Sequence, residues 1–237
     1  MFYTNVQPFG DNIAIRGVNN QGKPFQTKIP YEPTLYVHSQ NPSKWRTLDG
    51  KKVSPVKWGS MKESYQAIKN YAGDVFGIDQ FQYAFIADQY PGMISYDVSK
   101  MRTAYIDIEV ASEHGFPNVE SANEEVLAIS IKIDDDFKVY ACGDYTPTSG
   151  VRYIKCTDEK SLLLEFINDW SKNYPDIITG WNIRFFDIPY LVNRIVNLLG
   201  ERTAKRLSPW GWYKESSCLL YTSPSPRDAT LSRMTSS

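Results

Sequence analysis

The clearest alternation of apolar and polar positions lies in Thr103–Val110, where Ala104, Ile106, Ile108 and Val110 recur at every second residue. A period of two belongs to a strand with one face in a core, so Tyr105, Asp107 and Glu109 turn together to the other face. Strand-like runs at Val126–Ile133 and Phe137–Ala141 flank Asp134-Asp135-Asp136, which predicts an antiparallel meander with its turn at the aspartates. After Val151–Cys156 the period changes: Leu162, Leu163, Phe166, Ile167 and Trp170 recur at helical spacing. Thr157 is the predicted cap of that helix, with Asp158 and Glu159 at its positive end. Asp176–Trp181 reads as a fourth core strand, and Ile188–Leu199 as a second long helix stopped by Gly200.

The first hundred residues follow another rhythm. Short alternating runs at Phe2–Val6, Ile13–Val18, Pro24–Ile29 and Thr34–His38 are separated by Gly10-Asp11-Asn12, Asn19–Gly22 and Pro30–Pro33. Ser60 followed by Glu63 predicts a helix start, with Tyr65, Ile68 and Tyr71 on its apolar face. Lys51, Lys52 and Lys57 predict a basic loop ahead of it, a solvated surface or a phosphate contact. The predicted class is α/β (α+β): a β-rich N-terminal domain over residues 1–100, then a domain over residues 101–214. Three strands in a meander followed by helix, strand and helix is the opening order of a ribonuclease H-like domain, here an incomplete one.

Composition narrows the chemistry. The 237 residues are 42% hydrophobic and 14% aromatic, enough for two cores, and no run of about 18 apolar residues occurs. Met1–Val6 lacks a basic segment leading into an apolar one, so a soluble intracellular protein with no membrane partner is expected. Cys142, Cys156 and Cys218 show neither metal-ligand spacing nor a disulfide framework, and His38 and His114 are the only histidines. A zinc site or a Ser-His-Asp triad therefore has little material. Net charge is +3 over residues 1–100 and −5 over residues 101–217, from 11 basic and 8 acidic, then 13 basic and 18 acidic side chains. An acidic middle suits a metal-binding nuclease as well as it suits a solvated surface.

Asp107 and Glu109 side by side would repel each other and lose hydration unless a cation joins them. A divalent metal is the simplest answer, against the plainer reading of a solvated strand face. A second stretch, Gly180-Trp181-Asn182-Ile183-Arg184-Phe185-Phe186-Asp187-Ile188-Pro189-Tyr190, supplies another carboxylate. Asp187 opens an apolar helix and reads equally well as an ordinary N-cap; one oxygen could face helix amides while the other faces an ion.

Asp107-Ile108-Glu109, followed by Asn182-x-x-x-Phe186-Asp187-x-Pro189-Tyr190, resembles the first two exonuclease motifs of family B DNA polymerases. Gly115-Phe116-Pro117 and Thr203-Ala204-Lys205-Arg206-Leu207-Ser208-Pro209 are similar to the replicative polymerases of T4-like bacteriophages. The resemblance covers about residues 1–214 and implies an N-terminal domain and part of a proofreading 3′-5′ exonuclease domain. It implies that Asp107 bridges two divalent ions, Glu109 ligates one and Asp187 holds the second. Magnesium is the expected metal, with manganese as an alternative, because oxygen-only ligands favour hard cations. By the same resemblance Phe116 and Phe186 stack on a frayed single strand, and Asn182 positions substrate. Core packing is the expectation for Trp181, and a solvated helical face or phosphate contact for Arg202, Lys205 and Arg206. Implied partners are single-stranded DNA, primer–template DNA and, in a longer parent polymerase, a sliding clamp, in the cytoplasm of an infected bacterial host.

The sequence also departs from the family. The third exonuclease motif, a Tyr-x-x-x-Asp after the second, is missing, and Tyr140-Ala141-Cys142-Gly143-Asp144 has that spacing by coincidence. Residues 215–237, rich in Ser, Thr and Pro, are similar to a translated sequencing-adapter read, so a non-native or disordered tail is expected there. The expectation is a fragment of a polymerase, inactive or weakly active by itself and prone to aggregate. Two other readings are a stand-alone four-acid exonuclease and a non-catalytic nucleic-acid-binding fragment.

Overall fold

The structure, a computed structural model, describes residues 1–113 and 115–213; His114, Lys214, Cys218 and the predicted tail lie outside the described residues. Strands β1 (Phe2–Phe9), β2 (Asn12–Val18) and β3 (Pro24–Pro30) form an antiparallel sheet. Its first turn depends on Gly10, whose φ of 61° lies in the left-handed region. A second sheet, in the order β5-β6-β4-β7, comprises β4 (Leu35–His38), β5 (Trp45–Arg46), β6 (Lys52–Val56) and β7 (Val75–Phe76). The predicted basic loop is thus interrupted by β6, and two of its lysines are paired: Lys51 with Asp49 at 3.1 Å and Lys57 with Glu32 at 3.8 Å.

Helix α1 (Met61–Asn70) starts where Ser60 predicts, its side chain accepting the Glu63 amide at 3.2 Å. Its buried face differs from the predicted one. Met61 and Ser64 point inward, whereas Tyr65 and Tyr71 are 39% and 46% exposed, Tyr65 covering the Phe81 ring instead. Helix α2 (Phe81–Gln89) buries Phe81 and Phe85 against Ile13, Ile15, Leu35 and Met61 to close the first core.

The second core lies under a five-stranded sheet ordered β11-β10-β9-β8-β12. These strands are β8 (Thr103–Val110), β9 (Val126–Ile133), β10 (Asp136–Ala141), β11 (Val151–Lys155) and β12 (Ile177–Thr179). The first three form the predicted antiparallel meander, while β11 and β12 run parallel to their neighbours. Helices α3 (Glu159–Lys172) and α4 (Asp187–Leu199) pack on one face, and α5 (Glu201–Ala204) follows Gly200. Ala104, Ile106, Ile108, Ile129 and Ile131 meet Leu162, Leu163, Phe166, Tyr190, Leu191 and Ile195 there. The cap of α3 is Asp158, in a reciprocal capping box with Ser161, one residue beyond the predicted Thr157. This mixed α/β order, with an antiparallel meander leading into a parallel strand through a helix, is that of a ribonuclease H-like sheet.

A polar cluster ties α3 to the sheet. Asp169 accepts hydrogen bonds from Lys138 at 2.9 Å, the Tyr140 hydroxyl at 2.7 Å and Lys172 at 3.0 Å. Burial alone would raise its pKa, but these donors hold the carboxyl well below the usual carboxylate range. A depressed folded-state pKa gives stability that is complete above the unfolded value near 3.9 and fades as pH falls through the folded one. Asp169→Asn is therefore expected to cost about 2 kcal/mol at pH 7. In urea unfolding the difference from wild type should shrink as pH is lowered below about 4, and a difference independent of pH would contradict this assignment.

The β1–β3 sheet and the five-stranded sheet are joined at the entrance to β12. Arg16 donates to the carbonyls of Tyr174 and Pro175 at 3.0 and 2.9 Å, and the Thr4 hydroxyl donates to Asp176 at 2.8 Å.

Candidate active site

Strand β8 sets two acids on the sheet face that α3 and α4 leave open. Its register places Asp107 opposite Ser130, Tyr105 opposite Lys132 and Glu109 opposite Ala128, with a bulge just after Glu109. On its other edge β12 reaches only as far as Tyr105. Gly180 then passes so close that a Cβ there would lie 2.4 Å from the Ile106 carbonyl oxygen and 2.5 Å from Ile183 Cγ2. Only glycine fits. The chain leaves the sheet through Asn182, whose φ of 55° is left-handed and whose carbonyl accepts the Phe185 and Phe186 amides, both at 3.0 Å.

The cap position of α4 is Phe186, which makes no side-chain cap bond, so Asp187 is the first helical residue and not the N-cap. Its carboxylate points to the strand: Oδ1 accepts the Ile108 amide at 3.1 Å. Ile108 lies beyond the reach of β12, and a buried amide without a partner there would cost free energy comparable to a lost hydrogen bond. Asp187 is thereby bonded to the backbone of the residue between Asp107 and Glu109 and is only 3% exposed. Burial raises its pKa first; the Ile108 amide and its own amide pull the other way, and the charges of Asp107 and Glu109 push it further up. Asp107 and Glu109 are themselves exposed.

Phe116, on the loop leaving β8, is 85% exposed, and its ring lies 5.2 Å from Phe186, which stacks on Tyr190 at 5.4 Å. Trp181 is 85% exposed, which overturns its expected core packing: the chain has already left the sheet at Gly180. The visible role of Asn182 is through its backbone. Tyr140 is buried on the opposite face of the sheet, against Asp169, and Asp144 pairs with Lys155, so this Tyr-x-x-x-Asp spacing brings nothing to the acids. Arg206 donates to Asn168 and Ser171 of α3, and Lys205 pairs with Glu201 at 2.8 Å.

One group of residues escaped the sequence reading. On α4, Tyr190 donates to the Glu124 carbonyl at 2.7 Å, Asn193 to Val119 at 2.9 Å and Asn197 to Ser121 at 2.8 Å. Arg194 donates to Ala122 and Asn123 at 3.1 and 2.7 Å and forms a two-pronged pair with Glu159 at 2.7 and 2.6 Å. Glu159 in turn accepts the Val126 amide at 2.8 Å. The helix that begins with Asp187 therefore also holds the loop that carries Phe116. The signal was present in the i, i+3, i+4, i+7 spacing of Tyr190, Asn193, Arg194 and Asn197.

Among the described residues no group of three or more His, Cys, Asp or Glu is gathered closely enough to hold a metal ion. Asp107, Glu109 and Asp187 share one strand–helix junction and one electrostatic field without being drawn around a single point. Their donor set is all oxygen, and among the described residues none of them forms an ion pair with Lys or Arg. In chemistry it suits a hard divalent cation.

Among known proteins, the family described as DNA polymerase family B, exonuclease domain, matches residues 36–218. The DNA-directed DNA polymerase of Escherichia phage RB69 is 34% identical over 88% of this chain and 27% of its own length. That of Enterobacteria phage T4 is 34% identical over 90% of this chain and 27% of its own. The DNA polymerase delta catalytic subunit of Caenorhabditis elegans is 32% identical over 41% of this chain. The chain thus spans about a quarter of the length of the phage relatives. On these matches and on the fold, the chain belongs to the exonuclease-domain family of the family B DNA polymerases.

Proposed function

We propose that residues 101–214 carry part of a proofreading 3′-5′ exonuclease of a phage replicative DNA polymerase, hydrolysing 3′-terminal nucleotides of single-stranded DNA. The observation that supports this reading is the bond from the Ile108 amide to Asp187, which ties a third carboxylate to the strand residue between Asp107 and Glu109 in sequence. Asp107, Glu109 and Asp187 would hold two magnesium ions, with manganese as a substitute. Such ions supply a water of lowered pKa and stabilise the leaving 3′-oxygen. The chain's own part is positioning: Phe116 and Phe186 stack on the terminal base, Asn182 orients the strand, and Asp187 keeps its carboxylate fixed by the Ile108 amide. In the longer parent polymerase the partners would be primer–template DNA and a sliding clamp, in the cytoplasm of the infected host. Among the described residues no helix is long and apolar enough to cross a membrane.

No Tyr-x-x-x-Asp follows Asp187 in this sequence, so hydrolysis by the chain alone is expected to be slow or nil. Binding is the better readout. A labelled single-stranded oligonucleotide is expected to bind more tightly with magnesium than with EDTA, and Asp107→Ala should remove that gain. Affinity that depends on salt but ignores the divalent ion would point instead to a plain nucleic-acid-binding module. Rapid magnesium-dependent digestion would contradict the expected weak activity.

A further inference from the structure

Cys142 and Cys156 are far apart in sequence terms for a loop but adjacent in the sheet. Strands β10 and β11 pair in parallel, with Tyr140 opposite Ile154 and Ala141 opposite Lys155, so Cys142 and Cys156 are the next residues of the same register. The ladder continues to that point, because the Cys156 amide donates to the Ala141 carbonyl at 2.9 Å. Tyr140 and Ile154, two residues earlier on each strand, both pack into the core under α3, and the period of two turns the cysteines to that same face. Cys156 is 5% exposed and Cys142 is half-buried against the same core, both as free thiols. Just beyond Cys142 the two strand ends are held together again: the Tyr153 hydroxyl donates to the Gly143 carbonyl, and Lys155 pairs with Asp144.

Neighbouring strands run about 4.8 Å apart, inside the window of about 4.4–6.8 Å between Cα atoms that a disulfide spans. We propose that Cys142 and Cys156 form a reversible disulfide, a redox-responsive clasp between the ends of β10 and β11. Glutathione disulfide is a sufficient oxidant. The half-buried Cys142, as thiolate, attacks one of its sulfurs; the S–S bond breaks and one glutathione leaves. Cys156, as thiolate, then attacks the Cys142 sulfur of the mixed disulfide and expels the second glutathione. Two protein thiols thus give up two electrons and two protons, and one glutathione disulfide becomes two glutathiones. The clasp lies immediately before Asp158, the cap of α3, and Glu159, the partner of Arg194, so it secures the start of that helix.

The test uses the chain with Cys218→Ser, which leaves Cys142 and Cys156 as its two cysteines. Burial pushes both thiols up, and the charges of Glu125, Asp158 and Glu159 push Cys142 further, so exchange with glutathione redox buffers is run at pH 8.5 to supply thiolate. After acid quench and alkylation, mass spectrometry is expected to show a monomer lighter by about 2 Da with neither cysteine alkylated, reversed by dithiothreitol. Closing the loop from Gly143 to Lys155 should raise the melting temperature by about 5–10 °C over the reduced chain. In Cys156→Ala, which keeps an apolar side chain in the core, a glutathione adduct should accumulate on Cys142. Separate glutathione adducts on both cysteines, disulfide-linked dimers, closure only in urea, or a lower melting temperature on oxidation would each overturn the assignment.

Discussion

Arg194→Ala is expected to destabilise the chain by about 3–5 kcal/mol, the largest loss from any single side chain named above. Arg194 and Glu159 have side chains only 12% and 10% exposed, and truncating the arginine leaves the glutamate charge buried without its partner. It also strips the carbonyls of Ala122 and Asn123 of their donor, at the point where the Phe116 loop turns back into β9. The attraction of the pair is visible in Arg194 itself: the Glu159 carboxylate, by hydrogen bond and by charge, lifts its pKa despite burial. Urea denaturation measures the effect. The double variant Glu159→Gln/Arg194→Met should recover part of the loss, because no unpaired charge then remains buried. A loss below about 1 kcal/mol for Arg194→Ala would mean that the pair is solvated.

Substitutions at Asp187 should separate its structural bond from its charge. Asparagine keeps an oxygen for the Ile108 amide, whereas alanine leaves that amide unsatisfied and should cost about 1–3 kcal/mol. In EDTA at pH 7 Asp187→Asn is expected to melt higher than wild type, because burial, Asp107 and Glu109 all disfavour the ionised carboxylate. The sign follows from linkage. A carboxyl whose folded pKa is raised holds its proton longer in the native state, so wild-type stability falls as pH rises from the unfolded value near 3.9 through the folded one. The two proteins should therefore converge near pH 3 and differ most above the folded pKa. Magnesium should reverse the order by stabilising wild type through binding to the native state, with little gain for the asparagine variant. Differential scanning fluorimetry at pH 3, 5 and 7, with and without magnesium, reads all of this. A lower melting temperature for Asp187→Asn in EDTA would contradict the assigned electrostatics.

The parts of the fold that the sequence disclosed are those whose period is sustained. Thr103–Val110, the α3 stripe from Leu162 to Trp170, and the stretch stopped by Gly200 all repeat long enough for one face to be identified. Strands of two residues, such as Trp45–Arg46 and Val75–Phe76, carry no period and exist only because a neighbour offers its edge. Helix α2 has no side-chain cap and mixes apolar with polar positions all round, so nothing local announces it. The caps show how local chemistry competes: Thr157 and Asp158 are both able to cap, and the reciprocal bond with Ser161 selects the second.

The site was legible in part. Asp107 and Glu109 follow from alternation alone, and the placement of Asp187 beside them came from the family motif, not from spacing. What its carboxylate does required the sheet, because only the short reach of β12 leaves the Ile108 amide in need of an acceptor. Trp181 closes the core strand read over Asp176–Trp181, but the strand itself ends at Thr179 and Gly180 has already turned the chain out of the sheet, so Trp181 is exposed.

Whether Asp107, Glu109 and Asp187 bind divalent ions together is tested most directly by titrating the chain with Mn2+ and following the free-ion signal by electron paramagnetic resonance. Saturable, weak uptake by wild type that is lost in Asp107→Ala and in Asp187→Asn is the expected result. Equal uptake by all three proteins, or none by wild type, would contradict a shared metal site at this junction.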